Sequence, residues 1–161
     1  MGRAAAPLPA LEALNPRAVL LASEERAITA EAVDVAARLA APAGAPVYVF
    51  AIARVHGASF GLPNPGLLPS KQEWDAQRAS TSKAVKALRK RGIRAEGRVL
   101  GTRAAAKKIV AEAERLGCDA IVMGADPPRN RVLANFMWSQ EPYRVRRRAD
   151  VPVFLVVESG S

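Results

Sequence analysis

Apolar residues in this chain fall into two alternating patterns. Short continuous runs, Ala18–Ala22, Val47–Ala53, Ala120–Met123 and Val151–Val157, have the character of strands buried on both faces. A further run, Ile93–Leu100, is less apolar and reads as an edge strand; in chain order it falls between the second and the last two. Between them lie stretches with helical spacing. Ile28, Ala32, Val35, Ala36 and Leu39 share one helix face, ended by Pro42 and Gly44. Trp74, Gln77 or Arg78, Thr81, Val85 and Leu88 share another, which starts at a Ser70–Glu73 capping box and ends at Gly92. Ala105, Ile109, Ala113 and Leu116 form a third, capped by Thr102 and stopped by Gly117. A short fourth helix is expected from about Ser139 to the basic run Arg146–Arg148.

Strand and helix therefore alternate from end to end, with each connection long enough for a parallel crossover. The predicted fold is an α/β protein with one parallel sheet of five strands and helices on both faces, Rossmann-like. A flexible leader over residues 1–16, broken by Pro7 and Pro9, precedes one domain over residues 17–158. Ser23-Glu24-Glu25 is expected to supply the N-cap and first-turn carboxylates of the first helix. Residues 56–69, dense in Gly and Pro, are expected to form a loop. In such sheets ligands sit at the carboxyl ends of the strands, so the loop after Gly124 is the first place to look for a site.

Composition adjusts this picture only in part. A chain of 161 residues suits one domain, and 50% hydrophobic with 24% charged residues is ordinary for a globular protein. The formal charge of +9 favours anionic ligands or partners. At 5% aromatics, a stacking platform for single-stranded nucleic acid is not expected. Cys118 is the one cysteine and His56 the one histidine, so no internal disulfide and no metal-ligand spacing arises. A reducing, cytoplasmic setting is expected. No apolar run reaches the ~18 residues of a membrane span, so no membrane partner is expected.

Several strings in this order are similar to the universal stress protein family. They are the first strand with its turn, the Gly101-Thr102 entry to the third helix, Asp119-Ala120-Ile121-Val122-Met123-Gly124, and Arg147-Arg148-Ala149-Asp150-Val151-Pro152-Val153. The resemblance spans about Ala18 to Val157. It implies a sheet in the order 3-2-1-4-5, the adenine nucleotide alpha hydrolase-like arrangement, and a homodimer through the C-terminal strand. It also implies an ATP or other adenine-nucleotide site between the carboxyl ends of strands one and four. There an Asp ends strand one, and G-x-x-G followed by G-[S/T] wraps the phosphates with backbone N–H groups.

Against that pattern, Glu24 stands for the Asp, where a ribose or adenine contact competes with the first-turn role. Gly124 matches the first glycine, or is a simple strand-end turn. Pro127, with no N–H to offer, stands at the second. Met137 and Trp138 replace Gly-Ser, and with Phe136 they either fill the cleft or cap another ligand or partner. Ser139 falls near the helix entrance, and Ile52 where the family turns backbone toward adenine. Arg129 and Arg131 are placed to bind phosphate in place of lost backbone donors, or are solvated loop charges.

The expected function is thus a non-enzymatic universal stress-like protein with a weakened or altered nucleotide cleft and a stress-response or regulatory role. The alternative is an anion- or nucleic-acid-associated interaction protein. It would use the basic residues Lys83, Lys86, Arg89, Lys90 and Arg91, with Arg94 beyond, or the denser run from Arg144 to Arg148. An ATP-pyrophosphatase-like enzyme needs a Ser-Gly-Gly-rich loop after strand one, and Ser23-Glu24-Glu25-Arg26 is not one.

Overall fold

The computed structural model describes residues 14–55, 69–125 and 141–157. The element order is β1 (Val19–Glu24), α1 (Ala30–Ala40), β2 (Val47–Arg54), α2 (Lys71–Lys90), β3 (Ala95–Thr102), α3 (Ala105–Leu116), β4 (Ala120–Ala125), α4 (Glu141–Arg148) and β5 (Val153–Val157). The strands form one sheet in the order β3-β2-β1-β4-β5, with every neighbouring pair parallel. Both the fold class and the strand order are as the chain pattern and the resemblance led one to expect.

The continuous apolar runs are explained by burial on both faces. In β1, Val19 and Leu21 pack with α1 and α2, while Leu20 and Ala22 pack on the opposite face with α3 and Val145 of α4. The same alternation runs through β4, with Ala120 and Val122 on the first face and Ile121 and Met123 on the second. Helices α1 and α2 thus cover one face of the sheet, and α3 and α4 cover the other. Val145 is fully buried between the exposed Arg144 and Arg146, and so anchors the basic helix α4 to the sheet.

Local chemistry sets most boundaries. Ser70 Oγ accepts from Glu73 N–H at 3.1 Å, the first half of the expected capping box. Gly117 ends α3 in the left-handed region at φ 69°, which leaves its N–H free to return to the Ala113 and Glu114 carbonyls. Gly97 acts through packing instead. A Cβ there would lie well inside 3.0 Å of Thr81 Cγ2, so only glycine lets α2 sit this close to β3.

Several expectations are corrected. Ser23-Glu24-Glu25 does not begin α1; Ser23 and Glu24 are buried at the end of β1, and Thr29 is the N-cap, its Oγ1 accepting from Ala32 N–H at 3.2 Å. Thr102 ends β3 rather than capping α3; its Oγ1 accepts from Ala104 N–H at 3.0 Å, and the N-cap Ala104 makes no side-chain capping hydrogen bond. β3 runs from Ala95 to Thr102, two residues later than its apolar run suggested, because its register with β2 extends through Arg54–Thr102. β4 continues past Gly124 to Ala125, paired with β5 at Gly124–Val156 and Ala125–Val157.

Candidate functional site

The carboxyl edge of the sheet divides between β1 and β4. Their pairing runs from Val19–Ala120 to Ala22–Met123 and ends there. Each strand nevertheless goes on: β1 stays with β2 through Glu24–Ile52, and β4 stays with β5 through Ala125–Val157. The sheet therefore opens like a fork beyond Ala22 and Met123. This is the point where strand order reverses, outward to β2 and β3 on one side and to β5 on the other, and such a crevice is where doubly wound sheets bind ligands.

Three residues singled out from the sequence lie along this fork. Glu24 is the last residue of β1 and Ile52 is its register partner on β2. Gly124 stands on the opposite prong, buried within β4. Arg129, Arg131 and Ser139 lie outside the described residues, as do Pro127, Phe136, Met137, Trp138 and His56.

Glu24 is held in an unusual way for a strand-end carboxylate. Its side chain is 1% exposed, and Arg54 Nη1 donates to its Oε2 at 2.8 Å. Strand parity places both on the α3–α4 face, Glu24 two residues beyond Ala22 and Arg54 two beyond Ile52. Glu25 follows with φ 61°, a left-handed conformation that turns the chain off the strand. Its N–H donates to the Ile52 carbonyl at 3.2 Å, so that side of the Ile52 backbone is already engaged within the sheet. Glu25 Oε2 lies 4.0 Å from Arg54 Nη1. Ser23, also buried, donates its hydroxyl to the Arg26 carbonyl and so pins the turn.

Arg54 was not singled out from the sequence, and Glu25 only as a first-turn carboxylate of the first helix. A signal existed for Arg54: it is the cation that closes the second apolar run, on the edge where ligands sit. Cys118 is buried and poorly disposed to ionise. Burial first, then the charges of Asp119 and Glu112, push its thiol up to about 12. Asp119 is structural and lies at the other end of the sheet, where its carboxylate accepts from Arg17 N–H at 3.0 and 3.1 Å. Among the described residues no group of His, Cys, Asp and Glu could hold a metal ion. Nor is any helix among them long and apolar enough to cross a membrane.

A parallel sheet wound in both directions, with a forked carboxyl edge at its switch point, defines a doubly wound α/β protein. The chain belongs to the universal stress protein family, whose model matches residues 16–157. Solved structures agree on the fold. The universal stress protein from Archaeoglobus fulgidus in complex with dAMP is 24% identical, with a TM-score of 0.63 over 86% of this chain and 95% of that one. A universal stress protein in complex with cAMP is 20% identical, with a TM-score of 0.65 over 90% and 99%. A protein of the family from Burkholderia pseudomallei is 20% identical, with a TM-score of 0.63 over 90% and 98%. Comparison with curated proteins gives no match.

Proposed function

We propose that this chain is a non-enzymatic, stress-response or regulatory member of its family whose adenine-nucleotide cleft is weakened or altered. The observation that carries the proposal is the Glu24–Arg54 pair at 2.8 Å beside the β1–β4 fork. A carboxylate that ends strand one and already accepts from a guanidinium has less capacity left for ribose or adenine. Pro127, in place of glycine, removes a backbone donor from the phosphate side, and Met137-Trp138, in place of Gly-Ser, bring bulky side chains and no hydroxyl. Two structural neighbours were solved with adenine nucleotides, which makes these the ligands to test. In this reading Glu24, Ile52, Gly124 and Ser139 form the cleft, and Arg129 and Arg131 offer charge to any bound phosphate.

Isothermal titration of the full chain with ATP tests the reading. The expected affinity is weaker than about 100 μM, under about 5.5 kcal/mol, with no ATP hydrolysis. Micromolar binding overturns the weakening, and its loss in Arg129→Ala then assigns phosphate recognition to the arginine side chain.

The same reading includes a homodimer through β5 and residence in the cytoplasm. β5 supports the first: Val153 to Val156 are half-buried and Val157 is 50% exposed, whereas every residue of β4 is buried. An apolar edge strand left this open is suited to a second copy. Light scattering that gives a dimer for the native chain and a monomer for Val157→Lys supports the arrangement; an unchanged mass in the variant refutes it.

A further inference from the structure

The opposite edge of the sheet, at β3, serves no purpose in the carboxyl-edge site. Its backbone direction follows from two hydrogen bonds to β2. Val47 N–H donates to the Arg94 carbonyl at 2.9 Å and Val55 N–H to the Thr102 carbonyl at 3.1 Å. Alternate residues of a parallel strand face the same neighbour, so the even-numbered positions face β2. Gly97, Val99 and Gly101 therefore turn their N–H and C=O groups outward. Arg89 agrees with this parity, donating through Nε and Nη2 to the outward Ala95 carbonyl at 3.1 and 2.8 Å. Among the described residues no strand pairs with the outer side of β3.

Beyond Arg89 the edge opens into a groove of about 420 Å³ between β3 and α2, walled by Gly97 and Val99 on one side and by Arg78, Ser82 and Lys86 on the other. Those three follow at i, i+4 and i+8, one line along the helix. Each step rises about 6 Å along the helix, close to the ~6.6 Å between same-face residues of a strand. The Arg78 guanidinium lies 5.4 Å from the centre of the Trp74 ring, which fixes one end of the line.

We propose that this edge is a docking site for an acidic segment of another protein. The segment adds to the sheet as an extended strand along Gly97–Gly101, its carboxylates facing Arg78 and Lys86. Charge selects the partner. A second copy of this chain, itself at +9, would bring two rows of cations together, and edges flanked by cations resist pairing with themselves. A nucleic acid would satisfy the cations but not the alternating N–H and C=O groups of Gly97 and Val99.

Fluorescence anisotropy with a labelled peptide of alternating Glu and Val, long enough to span β3, tests this on the full chain. Binding is expected at low salt, with amide exchange of Gly97 and Val99 slowed in the complex. Lys86→Glu is expected to weaken it about tenfold or more. Val99→Pro removes one outward N–H, a position where an edge strand tolerates proline, and is expected to weaken it similarly. Should that variant fold poorly, the same peptide with proline at alternate positions removes the partner's donors instead and is expected not to bind. No binding overturns the proposal, as does equal affinity for the proline-interrupted peptide or for oligothymidylate. Self-association of the native chain that Lys86→Glu or Val99→Pro abolishes also overturns it, since the edge then serves a second copy.

Discussion

Arg54→Ala isolates the interaction on which the altered-cleft reading depends. In the native chain the Glu24 side chain is 1% exposed and Arg54 32% exposed, 2.8 Å apart. Removing one partner of a fully buried pair costs about 3–5 kcal/mol, because the other charge stays stranded. An exposed pair is worth about 0–1 kcal/mol. Here the group left behind is the buried one and the lost group is one-third open to water, so a cost of about 2–3 kcal/mol is expected. Glu25 changes this little, at 4.0 Å and with a partly exposed side chain. For a chain of this size the melting temperature should fall by about 5–10 °C.

The converse change is milder. Glu24→Gln keeps a buried group that can accept a hydrogen bond, and it leaves Arg54 able to reach solvent, at about 1 kcal/mol. The double variant should then cost clearly less than the two single changes added together, with a coupling of about 1–2 kcal/mol. Urea denaturation of the four proteins measures all of this. A loss under about 0.5 kcal/mol in Arg54→Ala, or strict additivity in the double variant, refutes the argument that Arg54 neutralises Glu24.

Other changes test other parts of the frame. Gly97→Ala drives a Cβ into Thr81 Cγ2, so α2 must shift off β3, with an expected loss of about 1–3 kcal/mol by thermal unfolding; adding Thr81→Ser should restore part of it. Cys118, with its thiol raised to about 12, should resist iodoacetamide at pH 8 in the folded chain and react once urea unfolds it. Burial would raise the Glu112 carboxyl, but the hydrogen bond from Arg115 and the charges of Arg98 and Arg115 outweigh it and hold the group below its usual 4.5. A lowered folded value means that its contribution is present above pH 4.5 and lost as pH falls further, so the stability gap between native and Glu112→Gln should close below that pH.

The fold was legible because burial on both faces leaves no room for a polar alternation. Val19 to Ala22, Ala120 to Met123 and most of Val47 to Ala53 are apolar at every position, and only a sheet covered on both faces demands that. Helix faces were legible where apolar spacing and caps agreed, as at Ser70. The register of β3 was less so. Ile93 is buried but precedes the strand, and the polar Glu96 and Arg98 belong to it, both exposed on a strand that lies at the sheet edge.

The site was harder to read for a reason visible in Ser23 and Glu24. A serine and a glutamate after an apolar run are good helix-starting residues, and nothing local argues otherwise. The strand continues through them because each finds a partner that the local sequence does not announce. The Ser23 hydroxyl reaches the Arg26 carbonyl across a turn made possible by Glu25 at φ 61°, and Glu24 reaches Arg54 at the end of a different strand. A buried carboxylate is intolerable alone and acceptable beside a guanidinium, so the strand's last residue is decided 30 positions downstream. The same dependence applies to function. In the proposed cleft the Glu24 carboxylate is engaged by Arg54, and the strings shared with the family do not include that arginine.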